Sequence, residues 1–371
     1  MRAGSHFHLT TPAFHPLQES SRRGGGHTLT AFVRAAALMH FGELARQVGL
    51  NPQLLLQEIG LDRRALTEPD LRVPADKVAA VLERAAERSG IANFGLRMAE
   101  SRQLSDLGAL SLLIGHLPTL RTVLATMAQY RDLLNESLVL HVEETGNLAI
   151  LREELVIDGT APLRQAHELA VGTLFRMLRS LLSENWLPLS VHFVHSAPPE
   201  LSVHRRLFGP KLVFDDEFNG IVCESSDLDR RNPAADPVLA RYARQFIDTL
   251  PHAEQASTTQ EVRKTIYLLL PLGRASIAEV AEGLALNVRR LQRLLAAEGS
   301  EFQSLLSGIR RDVAVRYMSS QRHSLTEVAE MLGYNRLSSF TRWFVREFGL
   351  PPSEWQNLRG RTRQSRREPS K

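Results

Sequence analysis

With 371 residues, 43% of them hydrophobic, the chain is long enough for two domains with buried cores. Its single cysteine, Cys223, excludes an internal disulfide and an all-cysteine zinc site, and no apolar run reaches the roughly 18 residues of a membrane span. The net charge of +4 is unevenly distributed, since residues 258–371 carry 19 Lys and Arg against 11 Asp and Glu while the remainder is mildly acidic. A basic C-terminal part predicts nucleic-acid binding by that part only.

Residues 1–29 mix His, Pro, Ser, Gly and Arg, a composition that predicts a disordered leader. They contain no apolar run typical of a signal peptide, so we expect a cytoplasmic, nucleoid-associated protein. Four histidines of the leader lack helical spacing and nearby carboxylates, and we therefore expect no metal site there: His6, His8, His15 and His27.

Residues 30–235 mix predicted helices and strands, an order that indicates an α+β domain. The apolar spacing predicts helices at Leu38–Val48, Pro52–Ile59, Ala75–Ser89, Leu120–Leu134 and Leu163–Leu182. Alternating patterns predict a hairpin at Leu138–Ile157, turning at Thr145-Gly146-Asn147, and strands at Ser190–His195, Leu212–Phe214 and Gly220–Cys223. Residues 236–258 predict a connecting helix followed by a polar linker.

Catalytic and metal motifs are incomplete in this region. His167-Glu168 begins an H-E-x-x-H zinc motif, but Val171 occupies the position of the second histidine. The acidic run 215–217 is expected to form a solvated turn. We find no nucleophile elbow, phosphate-binding loop or dinucleotide fingerprint, so we expect no catalytic residue, no metal and no cofactor.

Other polar residues of the region leave alternatives open. His192 and His195 are three apart in a predicted strand, which would place them on opposite faces, one packed and one exposed. Arg152, Arg164 and His167 either hold an anionic effector or form ordinary surface or salt-bridged groups. The sequence therefore leaves the effector-binding residues unknown.

A twelve-residue pattern occurs twice near the C-terminus, at Ser276–Asn287 (SIAEVAEGLALN) and at Ser324–Asn335 (SLTEVAEMLGYN). In each copy a serine and a glutamate three residues later are spaced as a helix-capping box. Gly333 suits a left-handed helix stop, where the first copy has Ala285. The final asparagine of each copy is expected to cap a second helix. Two copies indicate one small module used twice.

The second helix of each copy is predicted to have one polar and one apolar face. Arg289, Gln292 and Arg293 share one side of the first, opposite leucines. Ser338, Thr341 and Arg342 repeat that spacing in the second, opposite Phe340, Trp343 and Phe344. A short helix, a tight turn and such a second helix form a helix-turn-helix, which presents the second helix to the DNA major groove. A generic helical hairpin is the alternative.

Residues from about 260 to 358 resemble the DNA-binding domain of the AraC/XylS family of bacterial transcription regulators. The resemblance rests on SIAEVAEGLALNVRRLQRLLAAEGSEF and SLTEVAEMLGYNRLSSFTRWFVREFGLPPSEW, including the frame of Gly333, Tyr334, Phe340, Arg342, Phe344, Gly349, Pro352 and Trp355. It implies that DNA contacts fall on Arg289, Arg290, Gln292, Arg293, Leu337, Ser338, Ser339, Thr341 and Arg342. Two departures are Ala285 for the usual turn glycine and Asn335-Arg336-Leu337 for Ser-Asp/Glu-Gln.

Residues from about 30 to 230 resemble the effector-binding domain of ornithine-utilisation-type AraC regulators. Matching stretches include FGELARQVGLNPQLLLQEIGL and FGPKLVFDDEFNGIVC. The likeness implies small-molecule sensing and dimerisation without identifying the molecule. We therefore expect five segments: a leader at 1–29, an effector-binding and dimerisation domain at 30–235, a connection at 236–258, an all-α double helix-turn-helix domain at 259–360 and a basic disordered tail at 361–371.

Together these features predict a sequence-specific transcription regulator, expected to be an activator controlled by a small-molecule effector. Its expected partners are double-stranded DNA, RNA polymerase and a second copy of the chain, without membrane association. Two alternatives remain at this point: a metabolite-processing enzyme domain tethered to DNA, and a constitutive architectural DNA binder.

Overall fold

The computed structural model describes residues 31–157, 162–250, 257–320 and 323–357. The predicted leader with its four histidines, the predicted basic tail and residues 251–256 of the predicted connection lie outside the described residues. Two separate apolar cores are present, one built from residues between 31 and 247 and one from residues between 262 and 344.

The N-terminal part is mixed. Its strands are β1 Phe32–Arg34, β2 Arg72–Pro74, β3 Leu138–Thr145, β4 Leu148–Leu155, β5 Ser190–His192, β6 Leu212–Val213 and β7 Asn219–Glu224. Its helices are α1 Phe41–Gln47, α2 Pro52–Ile59, α3 Ala75–Ser89, α4 Phe94–Glu100, α5 Ala109–Ile114, α6 Leu120–Gln129, α7 Arg164–Leu182, α8 Ser202–Phe208, α9 Ser225–Leu228 and α10 Pro237–Thr249.

A five-stranded sheet in the order β3-β4-β7-β5-β6 organises this part, and β1 pairs with β2 separately. The sheet is antiparallel except for β5 and β6, which are parallel. Residues of β4 alternate between buried and half-buried, because successive side chains of a strand point to opposite faces. Cys223 of β7 is fully buried, and burial raises the pKa of its thiol to about 12.

Helix α7 crosses α4 at close range. A Cβ on Gly172 of α7 would lie 2.5 Å from the Cβ of Ala99, and one on Gly95 of α4 would lie 2.0 Å from the carbonyl oxygen of Gln165. Glycine therefore permits this approach, as expected where two backbones meet. The side-chain amide of Gln165 completes the contact by accepting a hydrogen bond from the Gly95 N–H at 2.9 Å.

The predicted helices Pro52–Ile59 and Ala75–Ser89 and the hairpin turning at residues 146–147 agree with the structure. Two predicted helices were too long. The one predicted from Leu38 begins at Phe41, because His40 before it has a left-handed backbone with φ of 65°. The predicted helix to Leu134 ends at Gln129, and a 3-10 turn follows. Helices α4, α5 and α8 were not predicted.

The described residues of the C-terminal part form helices and no strand: α11 Thr258–Leu269, α12 Ile277–Gly283, α13 Val288–Ala297, α14 Phe302–Ser320, α15 Leu325–Met331 and α16 Leu337–Phe348, with further helical residues at 352–357. The equivalent apolar residues of the two repeats are buried in one core: Val280, Ala281, Leu284, Val328, Ala329 and Leu332. Across the described parts of the chain, no helix is both long and apolar enough to cross a membrane.

Side-chain contacts join the two parts. Arg316 of α14 pairs with Glu154 of β4, and His323 lies 2.6 Å from a carboxylate oxygen of Glu217. At the start of the C-terminal part, Glu261 pairs with Arg131. The helix that connects the two repeats is thus in contact with the sheet of the N-terminal part.

Candidate nucleic-acid interface

The first repeat forms a capped helix, a turn and a second capped helix. The Ser276 hydroxyl oxygen accepts a hydrogen bond from the Glu279 N–H at 3.2 Å, and the Asn287 side chain accepts one from the Arg290 N–H at 2.8 Å. The serine and asparagine caps match the sequence expectation. The predicted capping box is incomplete, because the Glu279 carboxylate accepts the Ser276 hydroxyl at 2.8 Å and not its backbone N–H. Between the helices, Ala285 has a φ of 54°, a left-handed conformation that glycine adopts more readily.

The second repeat has a complete capping box: the Glu327 carboxylate accepts the Ser324 backbone N–H at 2.7 Å, and the Ser324 hydroxyl oxygen accepts the Glu327 backbone N–H at 3.2 Å. Gly333 ends α15 with a φ of 76°. The expected cap on α16 is wrong: Arg336, not Asn335, precedes the helix, and its side chain makes no capping bond with the described helix. The reason is that Arg336 is extended, and its carbonyl oxygen accepts the N–H of Ser339 at 3.0 Å.

The first recognition helix, α13, presents its predicted polar face to solvent. Arg289, Gln292 and Arg293 are exposed, and Arg290 is half-buried. On the opposite face Leu291 and Leu295 are buried in the C-terminal core, and the former has no exposed area. This division places three long hydrogen-bonding side chains of α13 at the surface on one side.

The second recognition helix, α16, has the same division with a less polar exposed face. Its core side is aromatic, with Phe340, Trp343 and Phe344 buried. On the outer side Leu337, Ser338 and Arg342 are exposed, whereas Ser339 and Thr341 are half-buried. The Thr341 hydroxyl donates to the Leu337 carbonyl oxygen at 2.9 Å, so its proton is used within the helix.

Helix α14 connects the two helix-turn-helix units. Its 19 residues span about 28 Å at 1.5 Å per residue, and Phe302, Ile309 and Val313 anchor it in the C-terminal core. Arg310 of this helix donates to the Leu332 carbonyl oxygen at 2.9 Å and lies 4.8 Å above the ring of Tyr334. These contacts tie α14 to the turn of the second unit.

The acidic run 215–217 is not a solvated turn, contrary to expectation. Asp215 accepts a hydrogen bond from the Ser196 hydroxyl at 2.6 Å, and Asp216 is 3% exposed. Glu217 contacts His323 of the C-terminal part. Carboxylates of this run are therefore used in tertiary contacts.

The expectation that one of His192 and His195 would be exposed is also wrong. Their side chains are 14% and 16% exposed. His192 contacts Asp216 and stacks on Phe218, whereas His195 packs against Phe193. Strand β5 ends at His192, so the alternation of faces does not extend to His195.

The three cationic candidates of the N-terminal part all have acidic neighbours. Arg152 bonds Glu143 at 3.1 Å and Arg164 bonds Glu168 at 3.1 Å. His167 lies 3.5 Å from Glu153, and that carboxylate helps to raise the pKa of His167 against the opposing effect of burial. All three are therefore paired within the chain, and a role in holding an effector stays a prediction.

Sequence reasoning missed His204 and Arg316. His204 is fully buried on α8, a helix that was not predicted. Arg316 lies on the polar side of α14, and polarity alone cannot show that this side faces another part of the chain.

Comparison with known proteins agrees with this architecture. Residues 49–232 match the family model described as the arabinose-binding domain of AraC transcription regulator, N-terminal, and residues 280–358 match a helix-turn-helix domain model. The HTH-type transcriptional regulator VirS of Mycobacterium tuberculosis is 26% identical over 90% of this chain and 98% of its own length. The ornithine utilization regulator of Pseudomonas aeruginosa is 26% identical over 55% of this chain and 64% of its own length.

Among solved structures, the transcriptional regulator CdpR from Pseudomonas aeruginosa aligns with a TM-score of 0.40 and 19% identity, over 85% of this chain and 98% of that chain. A similarity at this level supports no inference about this protein. The two family matches do support an inference, because they lie in the same order along the chain as the mixed and the helical parts. The chain belongs to the AraC family of transcription regulators, with an arabinose-binding-type N-terminal domain and a DNA-binding helix-turn-helix domain.

Proposed function

We propose that this protein is a sequence-specific transcription regulator whose DNA binding is controlled by a small-molecule effector. The observation that carries the proposal is the pair of recognition helices, α13 and α16, each with a buried apolar side and an outward polar side in one basic domain. The proposed contacts are Arg289, Arg290, Gln292, Arg293, Leu337, Ser338, Ser339, Thr341 and Arg342.

The two helices differ in how they read DNA. Arginine pairs bidentately with guanine and glutamine with adenine, so α13 supplies most of the direct base recognition. Leu337 has no hydrogen-bond donor and can contact only a thymine methyl group, and Thr341 already donates within α16. Helix α16 therefore contributes mainly phosphate and apolar contacts. Helices held by α14 can enter successive major-groove turns, about 34 Å apart.

In this proposal the chain is divided at 30–235, 236–258 and 259–360 into an effector-binding and dimerisation domain, a connection and a DNA-binding domain. The protein acts in the cytoplasm as an activator in contact with RNA polymerase. Effector binding changes DNA binding only if it favours one arrangement of the two domains. The arrangement would change through the side-chain contacts that Arg316, Glu261 and His323 make with the N-terminal part.

Helix α10 supports the proposed homodimer. Four of its large apolar side chains are 48–58% exposed on one side of the helix: Val238, Leu239, Tyr242 and Phe246. At this exposure the four side chains leave on the order of 400 Å² of their surface exposed to solvent. That is about half of the roughly 800 Å² of surface that each partner buries in a stable dimer. Because α10 immediately precedes the DNA-binding domain, association there would bring two such domains together.

A footprint tests the proposal. The full-length protein is incubated with a library of random duplexes, the bound fraction is sequenced, and the enriched duplex is footprinted. The expected result is protection of two segments one helical turn apart on one face. Absence of enrichment, or protection without sequence preference, would contradict sequence-specific binding.

A further inference from the structure

Four polar side chains meet where α7, the segment after β5 and α8 come together: Arg164, Glu168, His195 and His204, called here the Glu168 cluster. Glu168 and His204 are fully buried, whereas the side chains of His195 and Arg164 are 16% and 26% exposed. Oε1 of Glu168 accepts a hydrogen bond from Arg164 Nε at 3.1 Å and lies 3.3 Å from Nε2 of each histidine. No step of DNA binding uses this cluster.

The Glu168 cluster has more hydrogen-bonding capacity than the described residues satisfy. Four of its buried atoms have no hydrogen-bond partner within the described ranges of the chain: Glu168 Oε2, His195 Nε2, His204 Nδ1 and Arg164 Nη2. Buried polar atoms are nearly always paired in native proteins, because an unpaired one forfeits its hydration. A ligand that pairs them would be bound for that reason.

The tautomer of His195 defines what such a ligand must offer. Nδ1 of His195 lies 3.0 Å from the Ser196 carbonyl oxygen, which can only accept, so Nδ1 carries the proton. Burial lowers the pKa of His195 to about 4, and the ring is therefore neutral near pH 7. Its Nε2 is then a bare acceptor 3.3 Å from the Glu168 carboxylate, and two acceptors at this distance call for a donor shared between them.

The unpaired atoms favour an ammonium group with a neighbouring acceptor. Glu168 Oε2 and His195 Nε2 accept hydrogen bonds, and a primary ammonium supplies three donors. The rings of Phe193 and Phe214 pack against the cluster with centroids 5.1 and 5.6 Å from that of His195, and aromatic rings favour cations. Arg164 Nη2 remains as a donor, and guanidinium groups pair best with carboxylates.

A metal ion fits the cluster less well. Arg164 already places a cation on the Glu168 oxygen that the two histidines approach. Within the part of the chain that the structure describes, no three His, Cys, Asp or Glu residues are arranged to hold a metal ion.

We propose that the Glu168 cluster is the effector site and that it binds an amino acid. Its ammonium group donates to Glu168 Oε2 and His195 Nε2, and its carboxylate accepts from Arg164 Nη2. The molecule enters on the side of Arg164 and His195, the two members that reach the surface. The role as effector site rests on the proposed function, whereas the binding itself does not.

The location of the cluster connects it to the DNA-binding domain. Glu168 follows His167 on α7, and His167 lies 3.5 Å from Glu153. The next residue, Glu154, holds Arg316 of α14. A ligand that moves the first turns of α7 therefore acts on groups adjacent to the contact between the domains.

Calorimetric titration of the full-length protein with each standard L-amino acid tests the proposal. At least one amino acid is expected to bind. Two analogues of the tightest-binding amino acid, the amine that lacks its carboxylate and the acid that lacks its ammonium group, are expected to bind more weakly than the amino acid itself. The proposal would be overturned if no amino acid bound, or if zinc chloride bound saturably and no amino acid did. Equal affinity for the amino acid and its two fragments would also overturn it.

Two variants assign the binding to the cluster. Glu168→Gln is expected to lower the affinity for the amino acid by about tenfold or more, since it removes a charged hydrogen bond. Arg164→Lys keeps the charge but removes Nη2, and it is expected to reduce the preference for the amino acid over its amine. Glu58→Gln, at an exposed carboxylate bonded to Arg88, is the control and should bind as the wild type does.

Unchanged affinity in both cluster variants would overturn the assignment. Should Glu168→Gln fail to fold, as judged by circular dichroism, His195→Gln replaces it, with the same loss expected. A gel shift on the same wild-type preparation separates the two proposals. Intact DNA binding without amino-acid binding overturns this inference alone, and amino-acid binding without DNA binding supports the site while contradicting the proposed function.

Discussion

Arg316 of α14 donates two hydrogen bonds to Glu154 of β4, at 2.6 and 2.9 Å, and so joins the helix between the two helix-turn-helix units to the sheet of the N-terminal domain. Both side chains are 17% exposed. Burial on its own would raise the pKa of Glu154, but the guanidinium of Arg316 outweighs it and the pKa is lowered. The pair is therefore charged and bidentate at neutral pH.

Replacing Glu154 with Gln is expected to lower the free energy of unfolding by about 3 kcal/mol, because Arg316 is left buried without its counter-charge. Denaturant titration followed by fluorescence measures the loss. The double variant Glu154→Gln, Arg316→Met provides the control, since it removes both charges and should be less destabilised than the sum of the two single variants. Additive effects would show that the pair is not coupled.

The same pair sets a pH dependence. A carboxyl group whose pKa is depressed in the folded state stabilises the fold fully above its unfolded value, about 4.3 for Glu, and loses that contribution as the pH falls through the folded value. The stability difference between wild type and Glu154→Gln should therefore be constant from neutral pH to about pH 5 and shrink below about pH 4. A difference that grows on acidification would contradict the pairing.

The turns of the two repeats predict opposite effects of one exchange. Ala285 holds a left-handed backbone at some strain, so Ala285→Gly should stabilise the protein by about 0.5–1 kcal/mol. Gly333→Ala should destabilise it, because φ is 76° and the new Cβ would lie 3.2 Å from Arg310 Nη2. Thermal melts of both variants check this, and a lower melting temperature for Ala285→Gly would falsify the strain argument.

The helix-turn-helix units could be predicted because their signals are local. Ser324, Glu327 and Gly333 act within a few residues of their partners, although the cap of α16 was misplaced and the capping box of α12 is incomplete. Helix α4 was missed because nearly all of its residues are buried, which removes the amphipathic pattern. The pairing of Arg316 with Glu154 joins residues 162 positions apart, and neither residue carries a signal of the other in the sequence.

The exposed face of α10 predicts a dimer contact. Tyr242→Glu places a charge at the centre of the apolar stripe, where the side chain is 58% exposed, so the fold should tolerate it while self-association is lost. Sedimentation velocity over a concentration series measures the change. Gln53→Glu, at an exposed position of α2, makes the same change of charge and should leave association unaltered. A dimer that persists unchanged in Tyr242→Glu would place the interface elsewhere.

The contribution of α13 to base reading is predicted to be concentrated in its exposed arginines. Arg293→Ala should weaken binding to the preferred duplex by about 1–3 kcal/mol and relax the preference at one base pair, as expected when a bidentate contact with guanine is removed. Fluorescence-anisotropy titrations against single-base substitutions of that duplex measure both effects. Arg63→Ala removes an exposed arginine of the N-terminal domain, bonded to Gln57, and serves as the charge-matched control. If Arg293→Ala lowered the affinity for all duplexes equally, Arg293 would contact phosphate. The recognised base would then have to be assigned to Arg289 or Gln292.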